Sequence, residues 1–386
     1  MLLSEVQTPG VYREEVFPTP PPVLLTGVPA FLGYVEKGEA NKPILLTLWD
    51  QFAENFGAAY GYLAYAVRGF FENGGSPCYV VPLDDSANAL TNGLEAIAPL
   101  NSMDLVCAPD LMRKVGATPV HPPAAQVQEQ QKAILEYCQR AGDRFAILDS
   151  LSPTVGMDTQ QSIAEAIAQR GEILSSSGAL YYPWVKVSKL DAAENQVWVP
   201  PCGHVAGVYA RSDRRVGVHK APANELLEGV LDLKYNLTDA QQGQLNPLGI
   251  NCLRAFRGRG IRVWGARTLS RDPNWTYINV RRLMITIGRW LELNLADAAF
   301  EPNNLRLWLR IEREISGYLG ELLRQGALRG PNEESSFFVK CNAETNPPEV
   351  RDAGMAIAEI GIAPSVPAEF ITMRIILGAS GVSVAG

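Results

Sequence analysis

The two ends of this chain constrain its fold more than any motif inside it. Residues 1–24 contain the run TPGVYREEVFPTPPP, an extended arm with no helical period. Residues 367–386, PAEFITMRIILGASGVSVAG, read as a β-rich run with a small-residue tail. Each is short, and neither has an adjacent partner strand in its own sequence. A lone strand in water is marginal, and an unpaired one is a template for another chain. Two such arms predict a subunit knitted into a polymer.

A length of 386 residues allows two or three domains, and 47% hydrophobic against 19% charged residues suits large cores. The formal charge of −7 argues against a general nucleic-acid binder, but it is unevenly spread. From Arg254 to Arg329 there are 14 Arg, no Lys and 7 acidic residues, a surplus of seven that leaves −14 for the remainder. Arginine in preference to lysine suits bidentate pairing with carboxylates, inside the fold or on an acidic protein partner. Six cysteines have no metal-knuckle or CxxC spacing, there is no signal-like start, and no run approaches a spanning helix. A reducing cytoplasm with free thiols is the expectation.

PTPPP at 18–22 forms a stiff spacer. Helices are predicted at 48–56, 62–72, 125–141 and 160–175, and a helix start at 205–210. Strands are predicted at 23–35, 78–82, 104–108, 144–149 and 179–187. This alternation implies a mainly parallel, helix-covered sheet. After Leu237 the pattern changes. Runs at 245–253 and 261–269 flank a Gly-Arg turn, then come long helices at 279–295 and 303–325 and strands at 335–341, 354–362 and 368–377. The second half reads as α+β, with two long helices on a small sheet.

Catalytic signals are weak. Arg257-Gly258-Arg259-Gly260 lacks the GK[ST] ending of a phosphate loop and is better read as a tight turn. His121, His204 and His219 have no metal-ligand spacing, and Cys202 with His204 lacks a visible orienting group or oxyanion hole. Asp84-Asp85, Asp110 and Asp149-Ser150 follow strands, where α/β enzymes place ligands, though turns favour these residues anyway.

Long blocks in a fixed order carry a more specific signal. They are TPGVYREE, AFLGYVEKG and YLAYAVRGFFENGGSPCYVV at the front, and VPPCGHVAGVYARSDRRVGVHKAPANE in the middle. At the back are LNPLGINCLRAFRGRGIRVWGARTLS, WTYINVRRLMITI, FEPNNLRLWLRI, GALRGPNEESSFFVKCNAETN and PAEF. In these the chain resembles the tail sheath proteins of contractile phage tails and related contractile injection systems. His219 stands where the family usually has an aromatic, and the chain is compact for the family.

The resemblance implies a two-domain sheath protomer: arm 1–24, an α/β middle or outer domain with a mixed sheet at 25–235, an α+β inner domain at 236–369, and a C-terminal strand and arm at 370–386. It implies arms that add strands to neighbouring subunits, with Val11, Tyr12, Arg13 and Glu14 at one end and Ile371, Met373, Ile375 and Ile376 at the other. Arg306, Arg310 and Arg313 are candidates to face the tube or a neighbour. The implied partners are further copies in a helical sheath of six-fold rings, an inner tube protein, and baseplate and terminal cap proteins. No cofactor, metal, nucleic acid or membrane insertion is implied. Assembly would take place in the bacterial cytoplasm, and the sheath would contract to drive the tube through a target envelope. An α/β enzyme and a non-contractile tube or filament subunit are the alternatives.

Overall fold

The computed structural model describes residues 24–370, except 59, 114–120, 153, 155, 172 and 193, together with 374–378 and 381–385. Val11, Tyr12, Arg13, Glu14, Ile371 and Met373 lie outside the described residues. The first half alternates as expected: β1 Pro29–Gly33, β2 Ile44–Leu46, α1 Gln51–Phe56, α2 Leu63–Glu72, β3 Cys78–Pro82, α3 Ala89–Ile97, β4 Leu105–Cys107, α4 Ala124–Ala141, β5 Phe145–Asp149, α5 Thr159–Gly171 and β6 Gly178–Tyr182. Then follow β7 Val185–Ser188, β8 Gln196–Val199, α6 Cys202–Arg215, β9 Glu225–Leu226, β10 Asp232–Leu233, α7 Asp239–Leu245, β11 Ile250–Phe256 and β12 Gly260–Trp264.

Nine of these strands form one sheet in the order β2-β3-β1-β4-β5-β6-β11-β12-β9. The six from β3 to β11 run parallel, and antiparallel pairings occur at both flanks. Both faces are covered, so the strands read as continuous apolar runs. In β5, Phe145 and Ile147 join the core under α2 and α6, while Ala146 and Leu148 join the core under α4 and α5. The single strand expected over 179–187 is split at Pro183, which has no N–H to donate. Past it, β7 leaves for a separate sheet, β10-β7-β8. The sheet also runs through residue 235, where the sequence suggested a domain boundary, because β11 and β12 complete it.

Close packing of α2 on α6 depends on glycine. A Cβ on Gly203 would lie 2.1 Å from the Ala66 carbonyl oxygen, and one on Gly207 would lie 2.5 Å from that of Phe70. Both contacts are with backbone, which cannot rotate away. Gly203→Ala should therefore cost about 1–3 kcal/mol despite alanine's better helix propensity. Urea unfolding measures this, and a variant as stable as the parent would refute it.

The C-terminal half is α8 Ile278–Asn294, α9 Leu305–Arg324, short helices α10 Glu333–Ser336 and α11 Pro348–Asp352, and strands β13 Phe337–Lys340 and β14 Glu359–Ile362. Leu283 and Ile287 of α8 pack with Trp308, Ile311, Ile315 and Leu319 of α9 in a third core. Helix α8 also contributes Ile278 and Ile285 to the core of the large sheet, so it is shared between the two bodies. Last come β15 Arg374–Gly378 and β16 Gly381–Ala385.

Candidate assembly surfaces

Helix α8 bonds to residues near both ends of the described body. Arg282 is fully buried. It donates to Asp213 at 2.9 and 2.6 Å and to Asp104 at 2.9 Å, and lies over the Tyr209 ring. Burial opposes its charge, but the two carboxylates prevail and raise its pKa. Asp104 also accepts from the Val28 N–H at 2.7 Å, and Asp213 accepts from the Thr26 hydroxyl. One turn pair further along, Arg289 donates to the Leu25 and Asn101 carbonyls, each at 3.0 Å. Residues 25–28, the root of the N-terminal arm, are thus fixed by α8.

The other root is held near the start of α8. The Asn279 amide donates to the Ser365 carbonyl at 3.1 Å and to that of His219 at 2.8 Å. Arg267 grips Glu369 at 2.5 and 3.0 Å, and Asn246 adds a 2.8 Å bond. Partial burial raises the Glu369 pKa, but these donors prevail and hold it below the usual value. Residues 279 and 289 are about 15 Å apart along a helix. Helix α8 thus bonds to residues 25 and 365 near the two ends of the described body, while Glu369 is held by Arg267 and Asn246 outside the helix.

β13 and β14 form a two-stranded antiparallel sheet with no third strand among the described residues. Phe337, Val339, Ile360 and Ile362 pack toward the α9 core, and Phe338 is exposed. Beyond the bridge of Pro364 to Leu328, neither outer edge has a partner strand among the described residues. The C-terminal end differs from the sequence expectation of a strand without a neighbour. β15 pairs antiparallel with β16, Ile375 opposite Val384 and Ile376 opposite Ser383. Gly378 and Gly381 pair at the base of a tight reversal, and Gly is well suited to one.

On α9 the buried stripe is Leu307, Trp308, Ile311, Ile315, Leu319 and Leu322. Arg306 and Arg313 are exposed on the opposite side and make no ion pair among the described residues. Arg310 is half-buried and already bonded to Glu301 at 2.5 Å and Glu314 at 2.9 Å. Sequence reasoning missed the apolar component of this face. Leu305 is 60% exposed, Leu309 56%, and Phe300 fully so. Leu309 falls outside the helical stripe set by Trp308 and Ile311, and that was the available signal.

Of the strand-end candidates, Asp84, Asp110 and Asp149 are engaged internally, Asp85 is exposed, and the Ser150 hydroxyl is buried without a partner among the described residues. Asp110 accepts from the Tyr34 and Tyr62 N–H groups at 2.9 and 2.6 Å. Asp84 accepts from Asn41 and Asn92. His204 belongs to a buried helix, not a loop, and desolvation lowers its pKa to about 4, so it is neutral. All six cysteines are buried and unpaired. Among the described residues no cluster fits a metal ion, and no helix is long and apolar enough to cross a membrane.

Asp149 accepts from the Cys202 N–H at 2.8 Å at the start of α6. Burial pushes its pKa up to about 7, against the pull of the Cys202 N–H and thiol. The folded chain then holds a proton that the unfolded chain has lost, so stability falls as pH rises from about 4 to about 7 and levels off above. Asp149→Asn should flatten that decline by about 2–4 kcal/mol. Parallel urea titrations across the window test this, and unchanged pH slopes would refute it.

Two family models match the chain: the phage tail sheath protein central domain over residues 113–269 and the phage tail sheath C-terminal domain over 270–378. The tail sheath protein of Vibrio phage KVP40 is 29% identical over 46% of this chain, which spans only 26% of that relative's length. The anti-feeding prophage helical sheath in its contracted state is 31% identical, with a TM-score of 0.75 over 97% of this chain and 100% of that one. The sheath of an extracellular contractile injection system, PVC, also in its contracted state, gives 31%, 0.75, 97% and 99%.

Proposed function

This chain belongs to the phage tail sheath protein family, and from that premise we propose that it is the structural subunit of a contractile sheath. It polymerises helically around an inner tube, engages a baseplate at one end, and contracts to drive the tube through a target envelope. It assembles in the bacterial cytoplasm and performs no catalysis. The observation that carries this reading is the end-to-end likeness to sheaths of contractile particles, with almost nothing left over on either chain.

The geometry suits such a machine. A sheet with two open edges on each protomer can receive the arms of neighbours, Val11–Glu14 from one and Ile371–Ile376 from another. Because residues near both ends are bonded into the body, Leu25 and Ser365 by α8 and Glu369 by Arg267, a protomer can rotate as a rigid body while shared main-chain bonds stay made. A heterologous contact that does not close generates a helix. A gain of a few kcal/mol per subunit on contraction, on the scale of ordinary two-state switches, adds up over hundreds of copies without nucleotide.

The exposed side of α9 is the proposed tube- or neighbour-facing surface. Arg306 and Arg313 supply free cations there, while Arg310 must first release Glu301 or Glu314. Solvent-accessible pairs of about 0–1 kcal/mol each suit a contact that must let go. Electron microscopy of the chain co-expressed with its tube and baseplate should show tubes of two diameters and pitches. Reversing Arg306, Arg310 and Arg313 to Glu should leave a folded chain that sheathes few tubes. A single tubular state under every condition would favour a filament subunit, and normal sheaths from the triple variant would sink the role given to α9.

A further inference from the structure

The two sides of the nine-stranded sheet differ in charge, although the outermost strand on the arginine side, β9, carries Glu225, which is paired with Arg215 and Lys220. At one edge, β11, β12 and their turn span residues 250–264, which include Arg254, Arg257, Arg259 and Arg262 and no acidic residue. Arg254 and Arg259 lie over the Phe256 ring at 5.4 and 5.7 Å. Arg254 reaches Asp239, Arg259 bonds neutral Asn224, and Arg257 makes no ion pair among the described residues. The outermost strand, β9, is two residues long and among the described residues pairs only with β12.

At the other edge, β2 pairs only with β3 among the described residues. Around it, residues 36–56 and 84–85 carry six acidic residues against Lys37 and Lys42, a net of −4. Asp50 and Glu54 are exposed and make no ion pair among the described residues. Leu45 and Leu48, just before Asp50 in the chain, are 48% and 63% exposed. Eight inter-strand spacings separate the edges, about 40 Å, far beyond the screening length of about 8 Å. Neither charge is satisfied by the other within one protomer.

We infer that the Arg257–Arg259 edge of one copy docks on the Asp50–Glu54 edge of the next, as a lateral contact between copies of this chain. The inference rests on the sheath reading above and adds a contact independent of the arms. A second copy is the occupant because each edge supplies what the other lacks. A two-fold pairing would set like edges together and repel, whereas head-to-tail stacking sets opposite ones together. The exposed leucines and the arginine-capped Phe256 give the contact an apolar centre.

The test is a charge swap in the full chain co-expressed with its tube. Arg257→Glu with Arg259→Glu, and separately Asp50→Lys with Glu54→Lys, should each lower sheath yield by about tenfold or more. All four substitutions together should restore most of it. Thermal melting confirms that each variant folds. Single-edge variants that sheath normally, or a four-fold variant no better than either pair, would overturn the contact while leaving the sheath reading intact. A parent chain that forms no sheath overturns both. Binding of a single-stranded oligonucleotide that disappears in the arginine variant, with assembly unaffected, would assign this edge to nucleic acid instead.

Discussion

A chain lacking residues 1–22 should fold, stay monomeric and build no sheath around its tube. Folding should survive because the described body secures its own first residues. Arg289 holds the Leu25 carbonyl, Asp104 holds the Val28 N–H, and β1 begins at Pro29 in the middle of the large sheet. Assembly should fail because an arm contributes main-chain bonds that no side chain of the body can replace. Size-exclusion chromatography and thermal melting report the first half of this expectation, and electron microscopy the second. Sheaths of normal length from the truncated chain would end the arm hypothesis. Removing 378–386 is a different perturbation. It deletes β16, the strand paired with β15, so β15 would be left with both edges open.

Arg282→Met should be the most damaging single substitution in the body, costing about 3–5 kcal/mol. Its side chain sits between Asp104 and Asp213 with almost no exposure on any of the three. Methionine fills similar volume but leaves two buried carboxylates facing each other. Burial already raises the Asp213 pKa against the pull of Arg282, and without the arginine burial and the neighbouring Asp104 carboxylate are opposed only by the Thr26 hydroxyl. A carboxyl with a raised folded-state pKa loses stability as pH rises through the range between its unfolded and folded values. The deficit of the variant should therefore be largest at neutral pH and shrink in acid. Replacing both aspartates by asparagine in the same chain should recover part of the loss. Urea titrations at two pH values check all three outcomes, and a neutral-pH loss under about 1 kcal/mol would remove Arg282 from this role. A loosened clamp should also free residues 25–28, so the same variant should assemble poorly even where it folds.

Much of the framework was legible without coordinates. The strand at Cys78–Pro82 matched the apolar run residue for residue, and α2, α4, α8 and α9 ended within two residues of the periodic patterns. Asn73-Gly74-Gly75 stops α2 and Gly142 stops α4, the latter with a positive φ, as local rules require. The Arg257–Gly260 turn was read correctly because glycine tolerates the positive φ found at Gly258 and Gly260. The candidate arm residues Val11 to Glu14, Ile371 and Met373 lie outside the described residues, so the arms stand on the argument about their roots.

Sequence by itself determined what depends on near neighbours: periodicity, stops and turns. The ordered blocks of resemblance were enough to indicate a sheath subunit. Tertiary structure alone decided what depends on residues far apart in the chain. Arg282 meets Asp213 across 69 positions and Asp104 across 178, so the excess of arginine could not be divided in advance into buried clamps and free surface. It decided that Arg310 is engaged while Arg306 and Arg313 make no ion pair among the described residues, that the C-terminal strand has a partner, and that the β11–β12 arginines and the Asp50–Glu54 carboxylates lie toward opposite ends of one sheet. The physical reason is that burial and pairing are properties of packing. Strand order, which a local pattern does not encode, sets which charges meet and which are left for another molecule.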